Sequence, residues 1–168
     1  MTELCELANK WGTDKGPRGH CYTAYYHELF KDKRDIKKVL EIGIDVGRSL
    51  FMWQEYFQQA EIFALEADPG RLINGGRIKS IQCNQGNLED LRSIGTKAGT
   101  DFDFMVDDGS HDPIHQILSA KVLCQLLRLG GVYIIEDVAD FGAVVPYIPY
   151  ACETKDLGPD SRLVIIRV

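Results

Sequence analysis

Lys37-Lys38-Val39-Leu40-Glu41-Ile42-Gly43-Ile44 is a β-branched run that ends on glycine, and Ser49 to Phe57 follows it with Leu50, Trp53 and Phe57 on one helical face. The reading is strand, turn, helix. The pattern repeats outward from there. Glu61-Ile62-Phe63-Ala64-Leu65-Glu66 stops at Ala67-Asp68-Pro69-Gly70, and Ile78 to Cys83 leads into Asn84-Gln85-Gly86-Asn87 and a short helix over Leu88–Ile94. Phe102 to Val106 breaks into Asp107-Asp108-Gly109-Ser110-His111. Asp112 then suits an N-cap, Pro113 the first helical position and Gly130 the position past the end. Ile114, Leu118, Val122, Leu126 and Leu129 make that helix's apolar face. Gly131 to Ile135 is a fifth strand, and Cys152–Leu157 and Arg162–Arg167 flank Gly158-Pro159-Asp160-Ser161 as a hairpin. Strands alternating with helices imply an α/β, doubly wound, Rossmann-like fold: a mostly parallel seven-stranded sheet with a C-terminal antiparallel hairpin.

Upstream, Leu4, Leu7, Ala8 and Trp11 fall at helical spacing, and Gly12 ends that run. Gly12 to Gly19 has loop chemistry, and His20 to Phe30 reads as a second helix whose tyrosines pack in the core with their hydroxyls at the surface. Residues 1–36 are expected as an N-terminal helical cap or lid, and 37–168 as the core of one domain. With 168 residues and 45% hydrophobic content, one core forms without disulfides or metals.

Charge and cysteine usage exclude several classes. A net charge of −6 argues against a nucleic-acid binder, which carries a basic stripe. The one basic cluster, Lys31 to Lys38, is interleaved with Asp32 and Asp35 and reads as a solvated connection. Five cysteines without a C-x-x-C pair read as free thiols in a reducing cytoplasm. No apolar run approaches the roughly 20 residues that span a bilayer, so a soluble cytoplasmic protein without a membrane partner is expected.

In an open α/β sheet, ligands collect beyond the carboxyl ends of the strands at the topological switch point. Gly43 and Gly47 sit at the first strand–helix turn, where glycine lets the backbone approach a ligand. Their G-x-x-x-G spacing falls short of the G-x-G-x-x-G pyrophosphate fingerprint, which favours a nucleoside-containing cofactor smaller than a dinucleotide. Glu66 is placed to accept hydrogen bonds from ribose hydroxyls, and Asn87 to meet an adenine edge. Asp108, Glu136 and Asp137 offer hard oxygen ligands without sulfur, a set suited to magnesium. Glu136 and Asp137 can both face one ion only if the chain has left the strand, because successive strand residues point to opposite faces. On the residues alone, these carboxylates serve equally as ligands or as helix caps.

Several motifs together resemble one family. Gly12-Thr13-Asp14-Lys15, His20-x-Tyr22-Thr23 with Tyr26, Val39 to Gly43, Ser49-Leu50-x-Met52-Trp53 with Tyr56 and Phe57, Asp107 to His111, and Ile135-Glu136-Asp137 are similar to class I S-adenosylmethionine-dependent methyltransferases. Within that class they resemble the metal-dependent sugar O-methyltransferases of the macrocin and mycinamicin type. The resemblance implies that Glu41 and Gly43 border the methionine part of the cofactor, with Gly47 in the same turn. Glu66 then holds the ribose, and Asp107 closes its strand near the cofactor. It implies Mg2+ on Asp108, Glu136 and Asp137, and His111 as the general base, with His111 and Asp108 as the catalytic pair. His111 stands at a helix mouth whose positive end favours the neutral imidazole. Lys15 is assigned to the cofactor, and His20 and Tyr22 to the substrate.

Asn87 departs from the family, which often has aspartate there. In the short chain the family's substrate-covering elements are expected to be short or supplied by a neighbouring subunit, and a homo-oligomer is expected. The activity implied is methylation of a vicinal hydroxyl on a sugar or glycosylated small molecule. Methylation of a catechol-like diol and a non-catalytic S-adenosylmethionine-binding module are the alternatives.

Overall fold

The computed structural model describes residues 1–32 and 35–168, so Lys33 and Arg34 of the basic connection lie outside the described residues. The strands are β1 (Lys38–Ile42), β2 (Glu61–Glu66), β3 (Ile78–Gln82), β4 (Phe102–Asp107), β5 (Leu127–Ile135), β6 (Cys152–Asp156) and β7 (Arg162–Arg167). They form one sheet in the order β3-β2-β1-β4-β5-β7-β6. Pairing is parallel from β3 through β5, and β7 runs antiparallel to both β5 and β6. β1 can take the centre because Val39, Leu40 and Ile42 are buried on both of its faces. The strand order reverses between β1 and β4, which is where an open sheet leaves its crevice.

The register decides where function can sit. Ile42 pairs with Leu65 on one side and Asp107 on the other, and Asp107 pairs with Ile135. The next residue along each strand is therefore Glu66, Gly43, Asp108 or Glu136, four positions in one row about 4.8 Å apart. Backbone bonds hold the row level: Gly43 N donates to Leu65 O at 2.9 Å, Asp108 N to Ile42 O at 3.0 Å and Glu136 N to Asp107 O at 2.9 Å.

Helices α1 (Glu3–Trp11), α2 (Tyr22–Phe30) and α3 (Arg48–Tyr56) cover one face, packing Leu4, Ala8, Tyr26, Phe30 and Trp53 against Val39, Phe104 and Val106. Helices α4 (Leu88–Ala98) and α5 (Pro113–Leu123) cover the other face, with the short α6 (Phe141–Val144) beside α5. The two N-terminal helices are built into the core. Tyr26 meets Trp53 edge-on at 5.4 Å, and Phe30 meets Phe104 at 4.7 Å. Full burial of each such side chain contributes about 1.5–3 kcal/mol.

Three local expectations differ from what is observed. The second helix starts at Tyr22 and leaves His20 in a loop, because Cys21 takes a left-handed φ of 60°. Helix α4 continues past Ile94 to Ala98, extending a buried face of Leu91, Ile94 and Ala98. Helix α5 buries Gln116, Ser119, Ala120 and Leu123, while Ile114 is 73% exposed. A row of i+4 steps drifts by about 40° per step around a helix of 3.6 residues per turn, so the expected face winds off the buried side. The helix also ends earlier, and β5 begins at Leu127, leaving Leu129 91% exposed. Among the described residues, no helix is long and apolar enough to cross a membrane.

Candidate active site

A cleft of about 700 Å³ opens at the switch point, walled by Gly12, Thr13, Gly43, Glu66, Gln85 and Asp108 among others. Gly43 has φ 93°, and a Cβ there would stand 2.2 Å from the Asp108 carbonyl oxygen. The β1 turn and the end of β4 thus pack backbone on backbone, and only glycine fits between them. Glu66 reaches the cleft wall and accepts from the backbone N–H of Ile44 at 3.2 Å and of Asp68 at 2.9 Å.

Five residues assigned to the cofactor from sequence, Lys15, Glu41, Gly47, Asn87 and Asp107, do not line this cleft. Gly47 faces Ile73, whose Cδ1 would lie 2.3 Å from a Cβ, so packing explains that glycine. Asn87 caps α4, its Oδ1 accepting from Glu89 N at 2.9 Å and Asp90 N at 3.2 Å. Glu41 is fully buried beneath the cleft and accepts from Trp53 Nε1 at 3.0 Å. Asp107 is buried as well and is held by Gln85 Nε2 at 2.6 and 2.7 Å and by the Tyr133 hydroxyl at 3.2 Å. Burial pushes Asp107 up to about 7 and Glu41 up to about 7.

The acidic end lies on the other side of Gly43. His111 Nε2 is 3.2 Å from Asp108 Oδ1 and 3.5 Å from Asp137 Oδ2. Asp108, His111 and Asp137 each offer a ligand atom within 4.8 Å of the others. Two of the three have left-handed backbones, His111 with φ 57° and Asp137 with φ 52°. Such conformations cost about 1–3 kcal/mol each and persist where surrounding contacts hold them. The turn at Asp137 meets the requirement posed by the sequence, since β5 ends at Ile135 and the chain has left the strand when it reaches both acids.

The contacts that hold the acids come from the N-terminal segment. The Tyr22 hydroxyl donates to Asp137 Oδ1 at 2.5 Å, and that of Tyr26 donates to Glu136 Oε1. Both tyrosines are fully buried, so their hydroxyls aim at carboxylates and not at the surface. Tyr22 therefore braces Asp137 from inside the protein. His20 stacks on Tyr22 at 5.3 Å and donates from Nδ1 to Asp160 O at 2.6 Å. Lys15 is 1% exposed and off the cleft wall; its ammonium touches Asp108 Oδ2 and Glu136 Oε2 and lies 3.3 Å from Glu41 Oε1.

This charge arrangement sets the electrostatics. Burial works against a charged Lys15, but Asp108, Glu136 and Glu41 outweigh it and raise its pKa well above the usual value. Burial would also raise Asp108, yet Lys15 and a hydrogen bond from His111 hold it down to about 2. Glu136 goes the other way: burial and the neighbouring Asp108 push it up. His111 is raised by its hydrogen bond to Asp108, which opposes the helix-end effect expected from sequence. Three carboxylates, Glu41, Asp108 and Glu136, thus share one ammonium. An oxygen-rich set with unbalanced negative charge fits a divalent cation.

Gln85 is the residue that sequence reasoning missed. It is 7% exposed on the cleft wall, and its Oε1 accepts from Ser110 N at 2.9 Å while its Nε2 holds Asp107. It thereby ties the end of β3 to the loop that carries Asp108 and His111. Its proximity to the strand end, nearer than Asn87, was the available signal. His115 also reaches the cleft wall, with Nδ1 2.8 Å from Ser110 Oγ.

No family model matches the chain. Solved structures place its architecture among the Rossmann-like methyltransferases; human methyltransferase-like protein 13 in complex with SAH aligns with a TM-score of 0.70 at 16% identity over 89% of this chain and 82% of that one, a likeness of fold alone. Within that class, the chain resembles macrocin- and mycinamicin-type sugar O-methyltransferases at 31–35% identity. Mycinamicin VI 2''-O-methyltransferase of Micromonospora griseorubida is 35% identical over 96% of this chain and 43% of its own length. Demethylmacrocin O-methyltransferase of Streptomyces fradiae is 32% identical over 81% of this chain and 36% of its own length. The MycE methyltransferase structure in complex with Mg and SAH aligns with a TM-score of 0.81 at 27% identity, covering 99% of this chain and 54% of that one. The chain spans less than half the length of these curated relatives.

Proposed function

We propose that the chain is an S-adenosylmethionine-dependent, magnesium-dependent O-methyltransferase that acts on a vicinal hydroxyl of a sugar or glycosylated small molecule. The observation that carries this reading is the convergence of Asp108, His111 and Asp137 beside a cleft whose floor is Gly43. The similarity to sugar O-methyltransferases supports it. In this reading the cofactor takes the cleft with its ribose on Glu66, and Asp108, Glu136 and Asp137 hold the ion. A divalent cation there lowers the pKa of a hydroxyl close to it and orients the oxygen.

The rest of the work falls to the chain's own groups. His111 is 46% exposed in its side chain, so the acceptor can reach it. With Nε2–H donated to Asp108, its Nδ1 takes the hydroxyl proton while the oxygen attacks the methyl carbon: one O–C bond forms, one S–C bond breaks and S-adenosylhomocysteine is left. Asp108 and Asp137 flank the resulting imidazolium and stabilise its charge. Tyr22 keeps Asp137 turned toward Nε2, and Gln85 keeps Ser110, the residue before His111, in place. Gly43 brings the cofactor turn against Asp108, so that donor and acceptor sites share a wall.

Calorimetry with S-adenosylhomocysteine tests the cofactor half of this reading. Binding is expected, with no heat from NAD; silence toward S-adenosylhomocysteine together with a response to NAD contradicts it.

A further inference from the structure

Lys15 has no part in the chemistry above, yet it lies at the centre of the acidic cluster. Its backbone is fixed: Thr23 N donates to Lys15 O at 3.0 Å, and a Cβ on the adjacent Gly16 would lie 2.8 Å from Ala8 Cβ. Its ammonium takes Oδ2 of Asp108 and Oε2 of Glu136, while Tyr26 takes Oε1 of Glu136. Asp108 keeps Oδ1 free to face His111, but both oxygens of Glu136 are engaged. Glu136 can therefore ligate an ion only by giving up one of these two partners.

We propose that Lys15 is a tethered counter-cation that competes with the divalent ion for Asp108 and Glu136 and so sets the affinity of the site. The proposal rests on the magnesium reading above. A covalently tethered ammonium stands beside its carboxylates at high effective concentration, and an incoming ion must displace it from them. Removing the ammonium vacates those oxygens and makes the cluster more anionic, so divalent binding strengthens. A scaffold role, in which Lys15 holds the ligands in place for the ion, predicts the reverse.

Binding of Mn2+ as a probe, followed by loss of the free-ion electron paramagnetic resonance signal, separates the two. Lys15→Met and Lys15→Gln should each lower the Mn2+ Kd by about tenfold or more, as expected when a competing charge is removed from a partly desolvated site. Lys15→Arg, which keeps the charge, should stay near wild type. Circular dichroism checks that each variant is folded. The wild type supplies a readout that needs no variant: saturating Mn2+ should raise acetylation of the Lys15 amine, read by mass spectrometry. An unchanged or higher Kd in the neutral variants, or unchanged Lys15 labelling in the wild type, overturns the proposal. If neither wild type nor variants bind Mn2+, the magnesium reading itself fails, an outcome distinct from wild-type binding that is indifferent to Lys15.

Discussion

The two halves of the strand-end row are built differently. At the ends of β1 and β2, Gly43 and Glu66 are held by backbone groups: a carbonyl on Leu65 and N–H groups on Ile44 and Asp68. At the ends of β4 and β5, the acids are held by side chains from far away in sequence. Lys15 reaches Asp108 across 93 residues and Glu136 across 121, and Tyr22 reaches Asp137 across 115. The cofactor end follows from the local turn, whereas the chemical end exists only once the N-terminal helices have docked. The first is open; the second is charged and conformationally strained, with Lys15 and Glu136 buried behind an exposed His111.

If this division holds, substitutions at the two ends separate binding from chemistry. His111→Ala should cost the most, lowering methyl transfer by about 10²- to 10⁴-fold, the range for a general base, while leaving calorimetric affinity for S-adenosylhomocysteine intact. A matching loss of cofactor affinity breaks the comparison. Gly43→Ala strikes the join between the halves: strain from a φ of 93° and a clash with the Asp108 carbonyl should lower unfolding free energy by about 1–3 kcal/mol or more in urea titrations. It should also weaken S-adenosylhomocysteine and Mn2+ together. Tyr26→Phe leaves a buried Glu136 oxygen without its donor, and the loss should be about 1–3 kcal/mol in the same unfolding measurement. Glu66→Gln is the mildest change: cofactor Kd should rise about tenfold, as for one charged hydrogen bond, with Mn2+ binding unmoved.

The same division explains what could be read from the sequence. The strand–turn–helix pattern located β1 to β5 and the C-terminal hairpin, because periodicity and turn chemistry are local properties. It also located Asp108, Glu136 and Asp137, since acids just past apolar runs lie at strand ends, and the register then levels them. The partners of those acids were not legible. Nothing within ten residues of Tyr22 or Tyr26 indicates that a buried hydroxyl will meet a carboxylate more than a hundred positions away. Lys15 was assigned to the cofactor for the same reason: the Gly12-Thr13-Asp14-Lys15 motif marks a loop, but only the docked α1 and α2 show that its ammonium lands between Asp108 and Glu136. At Asn87 a second local rule applies, since an asparagine just ahead of a helix caps it, as this one caps α4.

The central claim is that the glycine-floored cleft and the acidic end act as one methyl-transfer site. Its most direct test is transfer of a labelled methyl group from S-adenosylmethionine to a panel of glycosylated acceptors, with Mg2+, with a chelator, and with Mg2+ restored. Labelled product that disappears with the chelator and returns with Mg2+ is the predicted result. Undiminished transfer in the presence of the chelator would contradict it.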